Sequence, residues 1–211
     1  VNWHMQVINY CERGDYSFWS EPLNALTNIA FLLAGLIAIR QQKKLSLLPV
    51  LMILIAIGSF LFHTLATRWA MFADVLPIYI FKLSFIYLYC RQVLNHNLYK
   101  VIAVFVLFFL SFYLLSFSPY SFNGSISYFP ALFLMFYFLI SHASQYKRTD
   151  RYLSIATVLF ILSLIFRSID YTLCQQLKIG THFLWHCFNA GVLYLCWLRL
   201  FDLQTAELNK H

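Results

Sequence analysis

Residues Leu47–Leu65 read LLPVLMILIAIGSFLFHTL, a continuous apolar run with no Lys, Arg, Asp or Glu and a single histidine, His63. A helix that crosses the hydrocarbon core of a bilayer needs about 20 such residues. Period-2 alternation, the mark of a half-buried strand, is missing from it. Six further runs of the same kind fall at 21–40, 69–89, 98–117, 125–141, 152–171 and 181–201. Backbone exposed to lipid must satisfy its own hydrogen bonds, so continuous runs are read as helices and not as barrel strands. Composition agrees. The 211 residues are 61% hydrophobic and 11% charged, with mean hydropathy +0.69, whereas soluble domains carry about 25% charged residues. That excludes a soluble globular enzyme, a disordered chain and a collagen-like fibre. The expected fold is an all-α membrane protein, a seven-transmembrane-helix bundle. Residues 1–20 form an outer segment capping the bundle, 21–201 the transmembrane domain and 202–211 a short cytoplasmic tail.

Charge sets the expected orientation. Lys43 and Lys44 follow the first run, Arg91 and Lys100 the third, and Lys147, Arg148 and Arg151 the fifth. The alternate connections are poor in charge. The positive-inside rule then places the N-terminus outside and the C-terminus in the cytoplasm. Ten of the 15 Lys and Arg fall on or beside the cytoplasmic side, Arg40, Arg199 and Lys210 completing that set. The net charge of +7 therefore reports topology, and no nucleic acid is implied. Residues 1–20 contain Glu12, Arg13 and Asp15 and lack the apolar core of a signal peptide. Pro77 falls inside the third run, where it disturbs helical hydrogen bonding.

An ionised side chain at the bilayer centre costs at least about 2.5–3.5 kcal/mol on insertion, so the few polar residues inside the runs carry the functional signal. They are Ser59, His63, Asp74, Lys82, His142, Arg167, Asp170, His182 and His186. The expected orientation brings His63, Asp74, His182 and His186 to one outer depth from three helices. His182 and His186, in H-F-L-W-H, are i and i+4 and share one face. With His63 they make the three-histidine set of an open zinc site. Zinc lowers the pKa of its bound water to about 7. Asp74 can take a proton from that water and hand it to a leaving group. Ser59, i−4 from His63, can hydrogen-bond an oxyanion or the water. Each piece alone has a plainer reading: a lone interfacial histidine as a polar anchor, Asp74 as a buried partner of Lys82 about 12 Å further along the helix. Their coincidence at one depth favours the metal. Arg167 and Asp170 read as an i, i+3 ion pair, with Asp170 alternatively a second-layer acceptor behind a histidine ligand.

Of five cysteines, Cys11 and Cys174 are the only pair on the expected outer side, where disulfides persist. A Cys11–Cys174 bridge is expected to pin the N-terminal segment over the mouth of the bundle. Cys187 and Cys196 read as buried apolar thiols.

These pieces together resemble the alkaline ceramidase family of seven-span zinc-dependent membrane hydrolases, related to adiponectin and progestin receptors. The matching motifs are C-E at 11–12, E-P-L-N at 21–24, G-S-F-L-F-H at 58–63, D-V-L-P at 74–77, D-Y-T-L-C at 170–174 and H-F-L-W-H at 182–186. The resemblance implies a zinc amidase that cleaves the N-acyl bond of ceramide to fatty acid and sphingoid base. It assigns zinc to His63, His182 and His186, the acid/base role to Asp74 and an assisting role to Ser59. Two departures stand out. Animal members bind calcium in the N-terminal segment through acidic and Asn side chains. Glu12 and Glu21 match that pattern as calcium ligands, but Arg13 and Gly14 follow Cys11–Glu12, and an arginine in the loop argues against calcium. The family's usual Asp-Glu-Leu-Pro is Asp74-Val75-Leu76-Pro77 here.

The leading expectation is an intramembrane amide hydrolase acting on ceramide or a similar N-acyl lipid that enters from the bilayer. No protein partner is implied. A zinc-containing seven-span receptor without turnover is the alternative, and turnover separates the two.

Overall fold

The structure is a computed structural model and describes residues 2–208. Among these the regular elements are helical. They are α1 (Pro22–Thr27), α2 (Ile29–Gln42), α3 (Leu47–Leu65), α4 (Arg68–Leu88), α5 (Leu98–Leu115), α6 (Phe129–Tyr146), α7 (Arg151–Ile169) and α8 (His182–Leu208). A π-helical turn, Tyr89–Val93, extends α4, and a 3-10 turn, Ser125–Tyr128, leads into α6. Six helical stretches are long and apolar enough to cross a membrane: Pro22–Gln42, Leu47–Leu65, Arg68–Val93, Leu98–Leu115, Ser125–Tyr146 and Arg151–Ile169. α8 is not among them, because its first turns carry His182, His186 and Asn189.

Local chemistry fixes several ends. Pro22 occupies the first helical position of α1, where its missing N–H costs nothing. Asn97 and Asp150 cap α5 and α7 by accepting from the backbone N–H of Lys100 and Leu153. The first expected run is not one straight helix. Asn28 separates α1 from α2, and its buried amide donates to the carbonyls of Asn24 and Ala25. α4 runs through Pro77 without a break in the helix. α8 continues to Leu208, so residues 202–208 prolong the helix where a tail was expected. Lys210 and His211 lie outside the described residues.

α3 packs along α2 and α4, and α7 along α8, with α2 also against α8. The core between them holds Met52, Ile55, Phe81, Tyr89, Phe138 and Leu153, all buried. Gly58 is where α3 meets α4. A Cβ there would collide with the carbonyl of Ala73, so only glycine permits this approach. Apolar side chains such as Leu107, Leu114 and Ile140 face outward, as lipid-facing surfaces require. Cys196 is buried but Cys187 is exposed, which corrects the reading of both as buried. Cys187 follows His186 directly, and a step of one residue on a helix turns the side chain to another face.

The N-terminal segment lies against the α3–α4 connection. Val7 N–H donates to Ala66 O at 2.7 Å and Arg68 N–H to Met5 O at 3.1 Å, around an isolated bridge between Gln6 and Thr67. The Cys11–Cys174 disulfide, with Cα atoms 5.5 Å apart, fastens the same segment to the α7–α8 connection.

Candidate metal centre

His63 closes α3, and His182 and His186 open α8. Their ligand atoms lie within 4.8 Å of one another, and all three residues are buried. The ring centroids are 4.7–5.3 Å apart. Two ring nitrogens, His63 Nε2 and His182 Nδ1, are buried without a hydrogen-bond partner. Buried polar atoms rarely stay unpaired, so these orphans and the compact three-histidine donor set fit a divalent metal such as zinc.

Two further nitrogens are held from behind. His63 Nδ1 meets Glu21 Oε2 at 2.6 Å, and His186 Nδ1 meets the Thr27 hydroxyl at 2.9 Å. Such partners fix the ring orientation and tautomer of a metal-binding histidine. Glu21 also accepts from Asn24 Nδ2 at 3.0 Å and pairs with the Arg13 guanidinium. Arg13 donates further to the carbonyls of Asp15, Ser17 and His63, the last at 2.7 Å. The guanidinium thus gathers one carboxylate and three carbonyl oxygens around itself. Glu12 binds the backbone N–H groups of Leu23 and Asn24, each at 2.8 Å. Both carboxylates therefore have protein partners, Glu12 on backbone N–H groups and Glu21 on Arg13, Asn24 and His63. Arg13 thus gives Glu21 a cationic side-chain partner of its own, the same residue that argued against calcium in the sequence.

Asp74 reaches the pocket of His182 and His186 from α4. Ser59 is buried on α3 close to the Asp74 carboxyl. Asp74, His182 and His186 line one small pocket with Tyr10 and Arg167. Lys82 makes no ion pair with Asp74.

The i, i+3 pairing of Arg167 with Asp170 does not form. Arg167 turns inward, donates to the Tyr10 hydroxyl at 3.0 Å, and lies over the rings of Tyr10, Tyr128 and Trp185. Asp170 turns the other way. Its carboxylate accepts from the backbone N–H groups of Cys11 (2.9 Å), Thr181 (2.7 Å) and His182 (3.0 Å). It meets the main chain of His182 and not its ring, capping α8 from α7. A Cβ on Gly180, which has φ +62°, would clash with this carboxylate and with Cys11.

Tyr10 and Thr27 escape sequence reasoning, which meets Arg13 only as an objection to calcium and Asn24 only as part of a motif. Tyr10 stacks on His182 with centroids 3.6 Å apart. Burial pushes its phenol above the usual value, so it stays protonated and can accept from Arg167. The one available signal was the charged cluster Glu12-Arg13 ahead of Glu21, in a segment otherwise free to stay in water.

A family model described as Ceramidase matches residues 5–211. A search of curated proteins returns no match.

Proposed function

The chain belongs to the ceramidase family, and from that premise we propose that it is an intramembrane, zinc-dependent amidase that hydrolyses the N-acyl bond of ceramide or a closely similar lipid amide. The observation that carries this reading is the convergence of Asp74, His182 and His186 on one pocket, with His63 clustered against both histidines. The helices are proposed to form seven spans, with the N-terminal segment and the pocket on the non-cytoplasmic side. The basic residues of the opposite connections support that orientation.

His63, His182 and His186 would hold the zinc, which when bound supplies a Lewis acid and an activated water. The protein's own groups do the rest. Asp74 takes a proton as water adds to the amide carbon, and the Ser59 hydroxyl donates to the tetrahedral oxygen. Asp74 then delivers its proton to the nitrogen as the C–N bond breaks. One water is consumed, one fatty acid and one amine leave, and Asp74 returns to its carboxylate. Arg167 and the apolar walls keep bulk water from the reacting bond. Glu21 and Thr27 hold the histidine rings in register.

The test is release of labelled fatty acid from an N-acyl sphingoid lipid by the purified protein. His186→Ala and Asp74→Asn are expected to lose at least about a hundredfold in turnover, the usual contribution of a positioned proton-transfer group. Release at the wild-type rate by both variants would refute the mechanism.

A further inference from the structure

A second chamber adjoins the pocket that Asp74, His182 and His186 line. The two share Phe31, Ile78, Tyr128 and Trp185 as walls. The second runs on along α4 and α8 as far as Cys196. Its lining is apolar and aromatic except for Lys82, Asn189 and the Tyr128 ring that bounds it, and no carboxylate lines it. Lys82 lies eight residues beyond Asp74 on α4, about 12 Å along the axis.

Its ammonium sits 3.9 Å from the centroid of the Tyr79 ring and 5.1 Å from that of Tyr128. The ion pairs among the described residues are Arg13–Glu21, His63–Glu21 and Arg199–Asp150, so Lys82 belongs to none. Two aromatic faces offset part of the cost of removing an ammonium from water, but they accept none of its N–H bonds. A lysine that only reaches for the membrane surface would carry its charge toward a helix end. This one holds it against two rings in the wall of a hydrocarbon-shaped space. A half-buried ammonium on a membrane-spanning helix with no partner charge is a candidate for binding an anionic ligand.

We propose that Lys82 binds the carboxylate of a long-chain lipid acid lodged in this chamber. The acid is either the free fatty acid or an acyl chain carrying a remote carboxylate. Only the origin of that lipid rests on the amidase reading; the binding itself does not.

The test measures displacement of a fluorescent fatty acid from full-length protein in detergent, by hexadecanoic acid and by hexadecanol. Because a metal at the triad would also attract a carboxylate, each measurement is repeated in the His186→Ala background. The acid is expected to bind about tenfold or more tightly than the alcohol, the worth of one charge-assisted hydrogen bond. That preference should survive His186→Ala and Lys82→Arg and vanish in Lys82→Met and Lys82→Gln. If Lys82→Met and Lys82→Gln keep it, if it disappears with His186→Ala alone, or if the wild type shows none, the proposal is overturned. Lys82→Gln keeps the test open should Lys82→Met fail to fold. The source is read from an N-acyl sphingoid amide with a terminal carboxylate. A KM lowered in wild type but not in Lys82→Met assigns the site to substrate chains, and an unchanged KM assigns it to the free acid. A protein that prefers the acid yet cleaves no lipid amide would sink the amidase reading and leave this one standing.

Discussion

Arg13 ties the N-terminal segment to the carboxylate behind His63. It is only 4% exposed, and its guanidinium binds Glu21 and three carbonyl oxygens. Its planar fork of donors suits such a cage better than a lysine would. Glu21 passes the effect on, since the same carboxylate holds His63 Nδ1. Glu21→Gln is therefore expected to weaken zinc binding about 10–100-fold, the usual effect of losing the partner behind a ligand histidine. Competition with a chromogenic zinc chelator measures it, and unchanged affinity would show that Glu21 is only structural. Arg13→Ala leaves the Glu21 charge buried and unpaired, at a cost of about 3–5 kcal/mol, read as a fall in the melting temperature. In the wild type, removing calcium with a calcium-selective chelator should leave that temperature unchanged, whereas stripping zinc should lower it. A rise on adding calcium would contradict the role given to Arg13. Sequence pattern exposes the three histidines and Asp74, because charge and polarity inside apolar runs are rare. The parts played by Arg13 and Tyr10 stay hidden because polar residues in a polar segment look like solvated surface.

Two contacts between elements decide whether these side chains meet. Gly58 lets α3 approach α4 at Ala73, next to Ser59 on one helix and Asp74 on the other. Gly58→Val would force the helices apart. It is expected to destabilise the fold by about 1–3 kcal/mol, as overpacking does, and to cost far more in turnover than in melting temperature. Turnover that only tracks the folded fraction would argue against a positioning role for this contact. Asp170 works at the other end of the site. It pairs three backbone N–H groups, from the N-terminal segment and the start of α8. Asp170→Ala would leave them without that acceptor at about 1–3 kcal/mol each where they stay buried, whereas an Arg167–Asp170 ion pair at the surface would have been worth no more than about 1 kcal/mol. Thermal unfolding separates the two readings. The helices were legible from their apolar runs, most to within a few residues at each end. The direction in which Asp170 and Arg167 turn was not, because i, i+3 spacing says that two side chains can meet, not what else competes for them.

At the scale of the whole molecule, polarity is distributed by end. One end carries the N-terminal segment, the disulfide and the histidine triad. The other carries Lys43, Lys44, Lys147 and Arg148, together with a buried network in which Asp150 accepts from Tyr89 Oη at 2.9 Å and from Arg199 Nε at 2.5 Å. Arg199 therefore does more than mark a side of the membrane, since its charge is tied to α7. The two ends differ in covalent chemistry as well. A disulfide closing a loop of 163 residues stabilises by about 4–5 kcal/mol in the chain-entropy account, and it persists only in an oxidising compartment. The basic end, by contrast, is the one that the positive-inside rule assigns to the cytoplasm. Both arguments call for the same orientation from unrelated physics, and one experiment tests them together. Ser121→Cys and Lys44→Cys place thiols on exposed positions of opposite connections. In sealed vesicles with the non-cytoplasmic face outward, a membrane-impermeant maleimide is expected to label Ser121→Cys at once and Lys44→Cys only after the membrane is opened. Cys187 is exposed along α8, so the parent protein supplies the background to subtract. The reverse labelling order would invert the bundle, place Cys11 and Cys174 in a reducing compartment, and remove the orientation on which the depth of the triad was first read.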